Sequence, residues 1–243
     1  MYAARGAVEG TEELTVGGVL ARTFDIYRDQ FGVLVGAALL VFAVEAVASF
    51  ALPAALAAVA ALISIVLTTF YQGMVVALVH DVQDGRRDSS VGDLLRSVSP
   101  VVVPLFVVSL LAGLGIGIGF VLLIIPGLFL LTVWAVVAPV TVLERPGIFA
   151  AFGRSRELVR GHGWTVLGAI VLVFVIVLCA GIVAAIIGTA VGGGDEIEAV
   201  VGWLLNALVQ PLAALVAAVL YFALRPREPA ADPVTYGGYA PPV

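Results

Sequence analysis

The chain has 243 residues, of which 62% are hydrophobic and only 12% are charged. So much apolar sequence cannot be covered by one soluble core, which excludes an ordinary soluble globular domain and indicates a membrane protein. The single cysteine, Cys179, excludes a disulfide framework or a thiolate zinc site within one chain, and the net charge of −5 says little about partners.

Six membrane-spanning helices are predicted. A spanning helix needs roughly 20 apolar residues, and three long stretches without arginine, residues 29–85, 97–144 and 161–224, each have room for two. Proline or glycine lies in the break within each pair, at Pro53, at 125–127 and at 189–198. The spans are placed near residues 31–52, 54–80, 101–125, 127–143, 164–188 and 200–224.

The distribution of arginine predicts the orientation. All 12 basic residues are arginine, and each lies in the N-terminal segment, in the loops after spans two and four, or in the tail. The opposite side carries Asp195, Glu196 and Glu198 in its largest loop. By the positive-inside rule both termini are cytoplasmic, in a multi-pass protein of the plasma membrane. No cleavable signal peptide is expected, and the first span would act as the insertion signal.

A short motif occurs three times: an acidic residue, an aliphatic residue, any residue and an arginine. The copies are Asp25 to Arg28, Asp93 to Arg96 and Glu157 to Arg160. Aligning the outer copies also pairs Arg22 with Arg154. The motif therefore predicts three tandem modules, about 15–80, 88–144 and 147–224, between a flexible segment 1–14 and a disordered cytoplasmic tail 225–243. The expected fold class is an all-α membrane domain of three helical hairpins.

Each hairpin is preceded by a predicted amphipathic helix in the cytoplasmic interface. The middle helix has Val91, Leu94, Leu95 and Val98 on one face, with a capping box between Ser90 and Asp93. The first has Val16, Val19, Leu20, Thr23 and Tyr27, and the third has Ile148, Phe149, Phe152 and Val159. Arg22, Arg154 and Arg156 are the candidates for lipid headgroup contacts. The acid and arginine of each motif form either a weak intrahelical pair or a ring of charge between modules.

Polar residues within the predicted spans are candidates for a functional site. Glu45 is the only charged residue deep within a span, at a depth similar to that of Ser64 and Asn206. Gln72 and Gln210 form a second candidate group beside Pro211. Two interpretations stay open: a protonated Glu45 that hydrogen-bonds between helices, or a carboxyl group used in transport.

Glycine and proline predict local features of spans three, four and six. Gly115 and Gly119 have the spacing that lets helices approach closely. Pro139 and Pro211 each remove a backbone donor and are predicted to bend their helices.

The loop after span two contains the weak metal candidates Asp81, Asp84 and Asp88. Its Asp-x-x-Asp-Gly start resembles the motif of CDP-alcohol phosphotransferases, but Asp88 and Ser89 occupy the positions of the expected alanine and arginine. No serine or cysteine has a nearby histidine base. We therefore expect no enzyme activity, no cofactor and no nucleic-acid partner.

The run Ile124-Ile125-Pro126-Gly127-Leu128-Phe129, with Arg154 to Trp164, resembles the membrane domain fused to some glycerophosphodiester phosphodiesterases. The resemblance covers about residues 15–224 and implies a stand-alone membrane domain, since there is no room for the catalytic barrel. The expected function is that of a membrane scaffold or lipid-interacting protein. The alternatives are a small-molecule or lipid transporter using Glu45 and, more remotely, a metal-dependent headgroup enzyme. Membrane lipids are the expected partners, and a protein partner or a second copy stays open.

Overall fold

The computed structural model describes residues 14–51, 53, 56–85, 90–191 and 194–225. Within these ranges the regular structure is entirely helical, which confirms the all-α class. The helices, in chain order, are α1 (Val16–Asp29), α2 (Phe31–Ala51), α3 (Ala57–Gln83), α4 (Val91–Val98), α5 (Val102–Leu122), α6 (Ile124–Val133), α7 (Val137–Leu143), α8 (Ile148–Val159), α9 (Gly163–Val191) and α10 (Gly194–Leu224). A 3₁₀ turn, Ser99–Val101, joins α4 to α5.

Five helical segments in the described part of the chain are long and apolar enough to cross a membrane, or six if α1 and α2 form one bent span. The axes of α1 and α2 differ by 81° across a break of one residue. These lengths fit a multi-pass membrane protein.

The predicted fourth span is interrupted. Helix α6 ends at Val133 and α7 begins at Val137. The amide of Val137 donates to the carbonyl of Trp134, 3.1 Å away, instead of to the carbonyl of Val133 four residues back. Pro139, the third residue of α7, has no amide proton and its ring disfavours a straight helix through the preceding turn. The bend predicted from Pro139 is therefore present as a break.

The loop predicted at residues 189–198 is too long, because the helices on both sides extend into it. Helix α9 continues to Val191 and α10 begins at Gly194, with residues 192–193 outside the described part. Asp195, Glu196 and Glu198 thus belong to α10. Acidic residues are favourable near the start of a helix because the helix dipole is positive there. Of the predicted tail, only Arg225 is described.

The core of the described part of the chain lies around α3, α7 and α10. Helices α3, α7 and α10 contact one another, and α2, α5 and α9 pack around them. The most buried large side chains of the central helices include Tyr71, Val79, Leu215 and Tyr221. By contrast, α9 exposes most of its length, including Phe174, Leu178 and Ile186. The centre of the bundle is therefore filled with apolar side chains.

The short helices pack in a repeating order. Helix α4 contacts α3 and α8 contacts α7, so each lies on the helix that precedes it in the chain. Helix α1 contacts α10, the last described helix, which completes the same pattern cyclically.

Close approach between α5 and the segment of α6 and Trp134 depends on glycine. A Cβ at Gly119 would lie 3.0 Å from the backbone of Gly127, and one at Gly115 would lie 2.5 Å from the ring of Trp134. The predicted close packing at Gly115 and Gly119 is confirmed.

Candidate functional site

The first and third short helices have matching positions in the chain and in the fold. Helices α1 and α8 begin at Val16 and Ile148, and α2 and α9 begin at Phe31 and Gly163, so both pairs of starts are 132 residues apart. The same offset pairs buried positions, namely Val19 with Ala151, Thr23 with Ser155 and Ile26 with Leu158. Residues that align between the outer copies in sequence are therefore also buried at equivalent positions in the fold.

The repeated motif has one burial pattern in all three copies. The aliphatic residue is buried in each, with relative exposures of 4% for Ile26, 2% for Leu94 and 6% for Leu158. The acid and the arginine are exposed in each. The motif thus anchors a short helix to the bundle through its aliphatic side chain and directs its arginine outward. The exposed arginines of the motif are Arg28, Arg96 and Arg160.

Exposed aromatic side chains accompany these arginines. On α8, Phe149, Arg156 and Arg160 follow the spacing of one helix face, and Phe149 is 82% exposed. Of the residues on the predicted apolar face, Val159 is buried and Phe149 is exposed, while Ala151, Ser155 and Leu158 complete the side of α8 that packs on the bundle. On α1, Phe24 and Arg28 are exposed at the positions equivalent to Arg156 and Arg160. Trp164, at the start of α9, is 87% exposed.

The acids of the motif do not form a ring of ion pairs with the arginines of other copies in the described part of the chain. Asp93 instead completes the predicted capping box of α4: its carboxylate accepts from the Ser90 amide at 3.3 Å, and the Ser90 hydroxyl accepts from the Asp93 amide at 3.3 Å. The hydrogen bond from the Ser90 hydroxyl, at 2.6 Å, lowers the pKa of Asp93, with smaller contributions from the Ser90 amide and Arg96. Asp93 therefore stabilises the N-terminus of α4 as part of its capping box.

Ion pairs form instead around Glu144, the residue after α7. Arg154 Nε lies 2.9 Å from Glu144 Oε2, and its guanidinium is also 3.5 Å from Glu157. Tyr221 of α10 donates its hydroxyl to Glu144 Oε1 at 2.9 Å. The hydrogen bond to Glu144 raises the pKa of Arg154 further above its usual value. Arg154 is predicted to contact lipid headgroups, but in the structure its guanidinium is paired with two carboxylates of the protein.

Sequence reasoning did not identify Glu144 and Tyr221 as members of a site. Glu144 precedes a turn in which Arg145 and Gly147 both have positive φ, at 52° and 94°. This turn directs α8 back along α7, so that Arg154 returns to Glu144. The sequence does contain one signal of this site: Glu144 is a single carboxylate that directly follows a predicted span and precedes Arg-Pro-Gly.

Two further hydroxyl groups connect the short helices to perturbed turns of long helices. Ser155 donates to the carbonyl of Val133, at the break between α6 and α7, over 2.8 Å. Tyr27 donates to the carbonyl of Leu208, three residues before Pro211, over 2.9 Å, and burial raises the pKa of Tyr27. The carbonyl of Val133 lacks its usual helical donor because the amide of Val137 binds Trp134, and the Ser155 hydroxyl replaces that donor. Pro211 removes the helical donor of the Ala207 carbonyl, so Tyr27 binds the carbonyl next to that position.

The intramembrane candidates divide into separate places. Ser64 donates to Glu45 Oε1 at 2.5 Å between α2 and α3, and both residues are half-buried. Gln72 and Gln210 are also half-buried. Asn206 is exposed and lines a cavity of about 370 Å³ between α9 and α10. Glu45 lines neither this cavity nor the small one around Leu34 and Tyr71.

The weak metal candidates receive no support as a cluster. Asp84 Oδ2 is 3.4 Å from His80 Nδ1 one helical turn away, and Asp88 lies outside the described residues. Within the described part of the chain, no three His, Cys, Asp or Glu side chains are placed to hold a metal ion.

Comparisons with protein-family models, with curated proteins and with solved structures find no match to this chain.

Proposed function

We propose that this chain is a six-span protein of the plasma membrane, with cytoplasmic termini, whose outward arginines bind the headgroups of anionic lipids. In this proposal the three modules form a non-enzymatic scaffold, with α1, α4 and α8 as interfacial helices around the cytoplasmic end of the bundle. The likeness to the membrane domain of glycerophosphodiester phosphodiesterases is part of the same proposal.

One observation supports headgroup binding above the others. In all three copies of the motif the aliphatic residue is buried and the arginine is exposed, although the three short helices pack on different partners. The exposed guanidinium groups are therefore available to ligands outside the fold, and an arginine is well suited to bind a phosphate group.

The neighbouring aromatic side chains favour a membrane interface over bulk water. Aromatic rings are enriched at headgroup level, where their apolar bodies contact lipid. Trp164, Phe149 and Phe24 are exposed beside the arginines of α8 and α1. Basic residues close to an anionic membrane surface contribute about 1 kcal/mol each, so Arg28, Arg96 and Arg160 together would favour an anionic lipid over a zwitterionic one.

The ion pairs of Arg154 reduce the number of arginines that are available to contact lipid headgroups. Arg154 is held by Glu144 and Glu157, whereas its equivalent Arg22 is exposed. The candidates are therefore Arg22, Arg28, Arg96, Arg156 and Arg160. Transport through Glu45 has less support, because its carboxylate binds Ser64 and the centre of the bundle is packed.

The proposal is tested by lipid titration of the delipidated protein in a neutral detergent. Calorimetry would compare short-chain phosphatidylglycerol with phosphatidylcholine for the wild type and for the triple variant Arg28→Gln, Arg96→Gln, Arg160→Gln. We expect the wild type to prefer phosphatidylglycerol, and the triple variant to lose that preference, with affinity reduced about fivefold at each position, the effect of about 1 kcal/mol per arginine.

A charge-changing control separates headgroup binding from a general effect of mutation. Asp25→Asn with Asp29→Asn alters two exposed charges of α1 and should leave phosphatidylglycerol binding equal or stronger. Equal affinity of the wild type for both lipids, or unchanged binding in the arginine variant, would overturn the proposal.

A further inference from the structure

The cavity between α9 and α10 is separate from the arginine-bearing end. Its volume is about 370 Å³, and it is lined by Val177 and Gly181 of α9 and by Gly202, Asn206 and Val209 of α10, among others. The lining is aliphatic or glycine except for Asn206. Ligand pockets typically have volumes of about 300–1,000 Å³, apolar walls and a few polar groups that orient the ligand. This cavity has that character at the small end of the range.

Asn206 presents a polar group that has no partner within the described part of the chain. Its side chain is exposed, and no described residue forms a hydrogen bond with its amide. An amide facing hydrocarbon without a partner is unfavourable, because lipid tails offer neither donor nor acceptor. An occupant of the cavity is therefore expected to have a hydrogen-bonding group near Asn206.

The depth of the cavity indicates which group that is. Trp164 is almost fully exposed at the start of α9 and marks the interface at the arginine-bearing end. Gly181, in the cavity wall, is 17 residues further along α9, or about 26 Å at the helical rise. The hydrocarbon core is about 30 Å thick. The cavity wall at Gly181 thus lies in the half of the membrane nearer the opposite hydrocarbon boundary, and ester groups join acyl chains to lipid headgroups at that boundary.

The cavity is open along one side, so its occupant comes from the surroundings of the bundle. Its walls extend from Val177 to Ala185 along α9, a length of about 12 Å. In a bilayer, hydrocarbon chains surround the exposed face of α9 and can lie along these apolar walls. A helix of a second copy is the competing occupant, and the test below distinguishes the two.

We propose that the cavity between α9 and α10 binds one acyl chain of an ester lipid of the surrounding bilayer, and that the Asn206 amide donates a hydrogen bond to its ester carbonyl. This inference rests on the membrane placement in the proposed function. The site itself contains none of the arginines proposed to bind headgroups. A zwitterionic lipid is therefore the appropriate probe, and changes at Arg28, Arg96 and Arg160 should leave its binding unaltered.

The test is native mass spectrometry of the delipidated full chain titrated with dioleoyl phosphatidylcholine or with its dialkyl ether analogue, which lacks both ester carbonyls. We expect the wild type to bind one ester lipid about two- to tenfold more tightly than the ether lipid, the effect of one hydrogen bond. Asn206→Leu should bind the two lipids equally.

Filling the cavity provides a second variant. Gly202→Leu should reduce binding of both lipids at this site, because its side chain would occupy the space of the acyl chain. Gly113→Leu is the matched control, since a Cβ at Gly113 and one at Gly202 both meet no atom within 4 Å, and Gly113 is exposed on α5. This control should bind as the wild type does.

Two results would overturn the proposal. One is equal binding of ester and ether lipids by the wild type. The other is a dimer in the spectra that Gly202→Leu abolishes and Gly113→Leu preserves, which would assign the cavity to a second copy. If Gly202→Leu fails to insert, the comparison of lipids in Asn206→Leu still decides the question.

Discussion

The hydroxyl of Ser155 on α8 donates to the carbonyl of Val133, the last residue of α6, over 2.8 Å. This carbonyl is the one whose usual helical donor, the amide of Val137, binds Trp134 instead. The break between α6 and α7 and the position of α8 therefore depend on each other. Ser155 is fully buried, so water cannot easily replace its hydroxyl.

Replacing Ser155 with alanine should destabilise the protein by about 1–3 kcal/mol, because a buried carbonyl loses its donor. The measurement is the free energy of unfolding in detergent micelles, followed by tryptophan fluorescence. Thr189→Ala is the control, since Thr189 is exposed and bonds only to carbonyls of its own helix. Equal stability of the two variants would contradict the assigned function of Ser155.

The contact between Glu144 and Arg154 should be energetically coupled. Arg154→Ala is expected to cost about 1 kcal/mol, because the pair is partly exposed to solvent. Glu144→Ala should cost more, about 1–3 kcal/mol, since the buried hydroxyl of Tyr221 also loses its acceptor.

A double-mutant cycle of these two changes should give a coupling energy of at least 0.5 kcal/mol. Arg156→Ala, on the exposed face of the same helix, should change stability by less than about 0.5 kcal/mol. Additive effects of the two variants would show that the pair does not join α8 to α7.

Close packing at Gly115 predicts different effects for two neighbouring glycines. Gly115→Ala places a methyl group against the ring of Trp134 and should cost about 1–3 kcal/mol through overpacking. Gly117→Ala meets no atom within 4 Å and should be neutral or slightly stabilising, because alanine favours a helix over glycine. Thermal unfolding of both variants in one detergent measures the difference.

The capping box of α4 predicts a dependence on pH. The pKa of Asp93 is lowered in the folded protein, so its ionised form stabilises the fold above the unfolded pKa. That contribution should decrease as the pH falls below 3.8, the ordinary pKa of an aspartate, and towards the lower folded value. The melting temperature of Asp93→Asn should therefore lie below that of the wild type at pH 6, and the difference should shrink as the pH falls below 3.8. A constant difference across this range would exclude the carboxylate as its cause.

Much of the architecture is predictable from local sequence signals. Long apolar stretches predict the spanning helices, and Ser90 with Asp93 predicts where α4 begins. Pro139 predicts a perturbation of the fourth span, although not its exact form. These features depend on hydropathy, capping and backbone chemistry within a few residues, which are all visible in one sequence.

The contacts that define the site join residues of separate helices, so they depend on how the chain folds between them. Glu144 meets Arg154 because a turn with two residues of positive φ reverses the chain between them. Asn206 lines a cavity because glycines of two helices, Gly181 and Gly202, leave space beside it. Neither contact follows from periodicity, since each depends on how separate elements are oriented. Phe149 illustrates the same limit: its spacing fits the apolar face, yet smaller residues fill that contact.

The most direct test of the central claim is the lipid selectivity of the protein in a bilayer. Spin-labelled phosphatidylglycerol and phosphatidylcholine would be compared at the protein surface by electron paramagnetic resonance, in reconstituted membranes of low and high salt. We predict enrichment of phosphatidylglycerol around the wild type that falls at high salt, since exposed charges are screened, and that is absent with Arg28→Gln, Arg96→Gln and Arg160→Gln combined. Equal fractions of the two lipids at low salt, or enrichment that persists without these arginines, would contradict it.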